Sequence, residues 1–262
     1  MRRLSLLVLV LAGCGQSPDR IAKFSEVPPG DIKSGYEFLQ PETQSLQDDD
    51  FANPGFLWVD KGEALFHQPP ENGKPACASC HTEDSHPVSE AAAHYPAIDA
   101  QTGKLVNLEA RINLCRERHQ ELSPLAYESD DLLGLTAYLA HLAQGVPVSV
   151  DVSGPARKYY DAGEDYFFLR KGQFNLACSQ CHNEHWGDKL RGDTISQGHG
   201  NAFPAYRMEW QTFGSLHRRL RDCDAGIRAE PLEYGSETYT AVELYLAKRA
   251  EGLAIESPGI RR

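Results

Sequence analysis

Two tandem, equivalent, all-α domains are what this sequence predicts. Three observations carry that expectation. The same short segments recur in the same order in both halves of the chain. Each half ends in a stretch with apolar residues at helical spacing. Neither half shows the alternation of a half-buried strand.

The recurring parts come in order. Gly62-Glu63-Ala64-Leu65-Phe66 and Gly163-Glu164-Asp165-Tyr166-Phe167 each begin 15 residues before a C-x-x-C-H motif. Those motifs are Cys77-Ala78-Ser79-Cys80-His81 and Cys178-Ser179-Gln180-Cys181-His182. Further on, Arg111-Ile112-Asn113-Leu114-Cys115 matches Arg219-Leu220-Arg221-Asp222-Cys223 as R-[IL]-x-x-C. The spacing then predicts closing helices over 131–144, with Leu132, Leu135, Leu139 and Leu142, and over 236–251, with Tyr239, Val242 and Leu246. Gly145 and Gly252 follow as C-terminal caps. The domains are expected over 51–150 and 151–262, joined near Gly145-Val146-Pro147 through Gly154-Pro155.

The N-terminus sets the compartment. Arg2 and Arg3 precede a short apolar run, Leu4 to Ala12, and then Leu11-Ala12-Gly13-Cys14, which resembles a bacterial lipoprotein processing box. Residues 1–13 read as a signal peptide and Cys14 as the acylated residue. Residues 14–50 read as an extended polar arm. The mature protein is expected in the periplasm, held to the membrane by lipid alone. The 262-residue chain has a formal charge of −11. Loss of Arg2 and Arg3 with the signal leaves 24 basic against 37 acidic side chains, or −13. Such a chain is a poor nucleic-acid binder.

Seven cysteines in an exported chain first suggest disulfides. The two C-x-x-C-H motifs point instead to two covalently bound c-type haems. In that chemistry two thiols, here Cys77/Cys80 and Cys178/Cys181, add to the haem vinyl groups. The adjacent His81 and His182 become proximal iron ligands. Zinc or a redox dithiol would need further nearby ligands or a βαβ pattern, and neither is evident. With Cys14 lipidated, Cys115 and Cys223 remain. They could pair with each other, but their equivalent positions favour distal ligation, Cys115 opposite His81 and Cys223 opposite His182. The other candidate ligands are His86, His94, His119, His185, His199 and His217. Met208, the one methionine after the signal, reads as packing. Thiolate ligation favours ferric iron and low potential.

The segments "DDFANPGFLWVDKGEALF", "RINLCRERHQ", "LTAYLAHLAQGVP", "HRRLRDCDAGIRAEP", "ELYLAKR" and "SPGIRR", with both haem motifs, resemble the SoxA family of bacterial thiosulfate oxidation. The resemblance runs from about Asp49 to Arg262. It implies two cytochrome c domains and a partner, the monohaem cytochrome SoxX. It also implies coupling of thiosulfate to a cysteine of the SoxYZ carrier, with two electrons passing towards SoxX and a downstream cytochrome. Within the family, the cysteine matched by Cys223 is the active-site haem ligand and can carry a persulfide. The arginine matched by Arg219 is the active-site arginine. Some relatives lack the first haem motif, and this chain keeps it. Two rivals remain: a plain dihaem electron carrier, and a thiosulfate dehydrogenase making tetrathionate, a family that typically uses methionine on its second haem.

Overall fold

The structure, a computed structural model, describes residues 27–262. The signal segment and Cys14 lie outside the described residues. Eight α-helices are present among these residues: α1 (Pro41–Asp48), α2 (Phe56–His67), α3 (Cys77–Cys80), α4 (Leu108–Cys115), α5 (Asp130–Leu142), α6 (Arg157–Phe168), α7 (Leu216–Gly226) and α8 (Glu237–Arg249).

The predicted closing helices are α5 and α8, and their ends follow from local chemistry. Ser129 and Ser236 cap them by accepting from the amides of Leu132 and Tyr239. Gly145 and Gly252 stop them at φ +82° and +86°, a left-handed backbone that glycine adopts without strain. The segments that follow pair with each other: Gly145 N–H donates to Ile255 O, and Gly252 N–H to Val148 O, both at 2.9 Å. The expected joint is therefore also a contact between equivalent places in the repeat.

The paired glycines upstream of the haem motifs have a packing reason. α2 crosses α5 at Gly62, and α6 crosses α8 at Gly163. A Cβ on Gly62 would lie 2.0 Å from Gly134 O, and one on Gly163 would lie 2.1 Å from Ala241 O. Backbone meets backbone at both crossings, so only hydrogen fits. Gly163→Ala is expected to destabilise the protein by about 1–3 kcal/mol, as overpacking does. Its Tm should fall by about 2–4 °C per kcal/mol. Thermal unfolding of the variant beside the control Gly226→Ala, where a Cβ meets nothing within 4 Å, checks this.

Two expectations need correction. The fold is mainly helical but not all-α. Seven short strands occur among the described residues: β1 (Ala97–Ile98), β2 (Leu105–Val106), β3 (Lys189–Leu190), β4 (Asp193–Thr194), β5 (Ala205–Arg207), β6 (Thr212–Gly214) and β7 (Gly259–Arg261). Each is only two or three residues long, too short to show alternation in sequence. The largest sheet has the order β6-β5-β7, with β7 parallel to β5. The second correction concerns the arm. Residues 27–50 are not extended but form helical turns and α1, docked on the end of the chain. Gln197 accepts from Lys33 N–H and donates to Asp31 O, both at 2.8 Å. Gln47 Oε1 accepts from Ile260 N–H at 2.9 Å and from Arg261 Nη1 at 2.7 Å. Polar groups of the arm are partners for groups contributed from more than 160 residues away.

The core joins the halves. One apolar cluster contains Phe66, Leu108 and Leu135 with Cys77 against it. Another contains Phe167, Phe168 and Tyr245 with Cys178, Leu216 and Leu220 against it. Between them, Leu105 packs with Tyr159 and Leu244, and Val59 with Phe213.

Candidate functional site

All six described cysteines are free, so Cys115 and Cys223 are not paired. Cys77 and Cys80 frame the single turn α3, and Cys178 and Cys181 frame the turn that enters Gln180–Glu184. Burial pushes the Cys178 thiol up to about 11 and raises Cys77 and Cys181 as well.

Both motif histidines are held in the same way. His182 Nδ1–H donates to Ser196 O at 2.7 Å, and His81 Nδ1–H to His86 O at 2.9 Å. That bond fixes the tautomer and leaves the Nε2 lone pair for a metal. Burial, aided by the positive charges of Arg219 and Arg249, lowers His182 to about 4, so the ring is neutral and able to ligate. Gly198, at φ +76°, packs on that ring, where a Cβ would lie 2.8 Å from it. These residues fit a c-type haem: pairs of free thiols at the C-x-x-C spacing, an oriented imidazole, and a glycine that makes room for it.

Cys115 ends α4, and its charge would reach Cys77. Cys223 lies in α7, within electrostatic reach of both Cys178 and Cys181. Each distal candidate is thus on the side of its own motif. The other histidines are placed less favourably. His94, His119 and His185 are exposed. His94 Nδ1–H donates to Ser149 O, and His185 faces Asp188. His217 is buried against Glu243. His199 is buried, lies near His182, and is lowered to about 3 by burial.

The arginines of "HRRLRDC" separate by partner. Arg218 lies 4.3 Å over the Trp210 ring and 3.9 Å from Glu128. Arg221 donates to Leu232 O and lies 4.7 Å over Tyr234. The Arg219 side chain makes no hydrogen bond or ion pair among the described residues. Its repeat partner Arg111 is committed instead, at 3.1 Å from Asp99 Oδ1. Asp99 also takes a two-pronged bond from Arg118, at 2.8 Å on each oxygen, and these bonds hold its carboxyl well below the usual range. The first half therefore carries an ion-pair triad where the second carries an unpaired guanidinium one helical turn from Cys223.

Sequence reasoning missed two neighbours of this site. Arg207, at the end of β5, is 4% exposed. It donates to Glu209, and its guanidinium lies 5.1 Å from the Trp210 ring, opposite the role Arg218 plays from α7. Burial and the nearby Arg219 charge both lower its pKa. Its neighbour Met208 is 37% exposed. The expectation that Met208 packs is thus corrected, because strand alternation turns Arg207 inward and Met208 outward. Lys171 is the second neighbour, 3.0 Å from Asp224 and 3.9 Å from Cys178 Sγ. Arg207 stands in the stretch "AYRMEW", where a basic residue two places from buried Ala205 was the available signal.

Comparison with known proteins shows the family. Residues 61–148 match the family model "SoxA/TsdA, cytochrome c domain". The L-cysteine S-thiosulfotransferase subunit SoxA of Pseudaminobacter salicylatoxidans is 34% identical over 230 residues, spanning 87% of this chain and 80% of the relative. The same-named subunit of Rhodovulum sulfidophilum is 34% identical over 88% of this chain and 80% of the relative. The crystal structure of SoxXA from P. pantotrophus superposes with a TM-score of 0.82 at 32% identity, over 88% of this chain and 87% of that one. Similarity of this extent reaches both cysteine motifs and the helix bearing Arg219 and Cys223, and the chain belongs to the SoxA family.

Proposed function

We propose that this chain is the SoxA subunit of an L-cysteine S-thiosulfotransferase, working with a small cytochrome SoxX and a cysteine-bearing carrier, SoxYZ. Thiosulfate and the carrier thiol give a cysteine S-thiosulfonate, one proton and two electrons. The observation that carries the reading is the unpaired Arg219 guanidinium beside Cys223, where the equivalent Arg111 is tied to Asp99.

Two c-type haems would be held, one by Cys77, Cys80, His81 and Cys115, the other by Cys178, Cys181, His182 and Cys223. Bound there, the haem supplies a one-electron acceptor next to the Cys223 sulfur. Arg219 grips the sulfonate oxygens of thiosulfate bidentately, which a planar guanidinium does well. That aims the terminal sulfur at Cys223. Cys223 holds the sulfur through the coupling and releases it to the carrier cysteine. The ion pair between Lys171 and buried Asp224, with the Tyr166 and Tyr239 hydroxyls donating to Asp224 at 2.6 and 2.7 Å, holds α7 so that Cys223 keeps its place. The domains run over 51–150 and 151–262, and the mature chain begins at an acylated Cys14 in the periplasm.

One experiment tests assembly and anchoring together. The intact mass of the purified mature protein under denaturing conditions should equal the chain from Cys14 with its acyl groups and two haems. One haem or none would remove the dihaem assignment, and an unmodified Cys14 would remove the anchor. Turnover with thiosulfate, SoxX and SoxYZ, and none with thiosulfate alone, separates this enzyme from a tetrathionate-forming dehydrogenase.

A further inference from the structure

A set of ionisable side chains outside this chemistry lies buried between the two halves. Glu109 on α4 is 6% exposed and His217 on α7 is 1% exposed. Glu243 on α8 completes the set. Its Oε2 lies 3.2 Å from His217 Nε2 and accepts from Asn107 Nδ2 at 3.2 Å. The loop before α5 adds Glu128 and Tyr127. Tyr127 stacks on His217 at 5.8 Å and donates to Asn107 Oδ1 at 3.0 Å. Tyr239 of α8 lies 5.6 Å from His217, and Arg218 stands beyond, 3.9 Å from Glu128. Three carboxylates thus face one imidazole and one outlying guanidinium. Burial, reinforced by Glu243, pushes Glu109 up to about 8. For His217 burial acts downward, but the bond to Glu243 and the surrounding carboxylates outweigh it, and its pKa is raised. Excess negative charge in a buried place holds protons there.

Glu109 and Glu243 also line a cavity of about 60 Å³, with Tyr95, Leu108, Asn201 and Leu216 among its walls. That is room for more than one water, and the lining is polar enough to hold them. Asn201 Oδ1 is a buried acceptor with no protein partner among the described residues. The walls belong to both proposed haem sites. Tyr95 and Leu108 pack in the cluster that includes Cys77, and Leu216 in the one that includes Cys178. Two of the three members of the set stand on helices that also build the second site: α7 carries Cys223 with His217, and α8 carries Val242 and Tyr245 of the Cys178 cluster with Glu243.

We propose that the Glu109–Glu243 pair is a proton store for the second haem: in alkaline solution, where the pair has a proton to gain, it takes one up from solvent when an electron arrives there and returns it when the electron leaves. The inference rests on the haem assignment above. The electron comes from the sulfur coupling and the proton from water through the cavity, so the charge entering this half is cancelled. An added electron nearby raises the proton affinity of a buried carboxylate far more than it would in water.

The test is a spectroelectrochemical titration of the haem-loaded protein at several pH values. The midpoint of the second haem is expected to be flat at low pH, where the pair is protonated in both redox states. It should fall from near pH 8 upward, approaching a tenfold change in equilibrium per pH unit, about 59 mV for one electron. Glu109→Gln and Glu243→Gln should each flatten that slope while haem content stays at the wild-type level. A wild-type midpoint independent of pH from 6 to 10, or a slope unchanged in both variants, overturns the proposal. If the variants fail to fold, redox-difference infrared spectra of the wild type near pH 9 decide: a carboxylic acid carbonyl band should appear on reduction, and its absence at that pH overturns the proposal. Loss of the enzymatic reading would show separately, as missing haem or missing turnover.

Discussion

Cys223→Met is expected to bring thiosulfate coupling to near background in a folded, haem-loaded protein. Methionine sulfur can still face iron, so the α7 packing and the haem remain. A thioether cannot form and release a sulfur–sulfur bond, so the group that carries the terminal sulfur is gone. The loss should exceed about a hundredfold, more than removal of one charged hydrogen bond causes. Cys115→Met should change the spectrum of the first haem and leave most coupling intact, because its neighbour Arg111 is bound to Asp99. Steady-state coupling assays with SoxX and SoxYZ, beside low-temperature electron paramagnetic resonance of each variant, check both. Wild-type turnover in Cys223→Met would move the active site elsewhere.

Arg219→Ala is expected to lower the efficiency of thiosulfate use about ten- to a hundredfold, matching the roughly 1.5–3 kcal/mol of a charge-assisted hydrogen bond. The haem spectrum should stay largely unchanged, since the Arg219 side chain bonds no described residue. Arg111→Ala makes the contrast. It leaves Asp99 with Arg118 and Thr102, and its effect should be on stability rather than on thiosulfate. Equal effects of the two substitutions on kcat/KM for thiosulfate would show that Arg219 is a packing residue like its repeat partner.

How much of this was legible beforehand differs from element to element. The paired glycines Gly62 and Gly163 could be seen as a repeat, but their reason could not. It is a backbone-to-backbone crossing that needs the partner helices α5 and α8 in place. The short strands were invisible because two or three residues carry no periodicity. Residues 27–50 read as an extended polar arm because their hydrogen-bond partners, Gln197 and the 256–261 segment, are remote in sequence. The repeat and the family match singled out Arg219 in sequence, but only the surroundings show that Arg218 and Arg221 are engaged with Glu128, Trp210, Leu232 and Tyr234.

The sequence by itself determined the local chemistry: two C-x-x-C-H motifs, the cysteines that follow them at equivalent places, the helices that close each half, and their serine and glycine caps. These depend on neighbours a few residues apart, so the chain order contains them. The tertiary structure alone decided which charges are committed and which are available. Asp99 satisfies Arg111 and Arg118. Trp210 and Glu128 take Arg218. Arg219 is left facing Cys223's side of the fold, and Glu109, Glu243 and His217 meet from three helices in one buried place. An ion pair or a buried charge is set by distance and solvent exclusion, and those are properties of packing between remote segments.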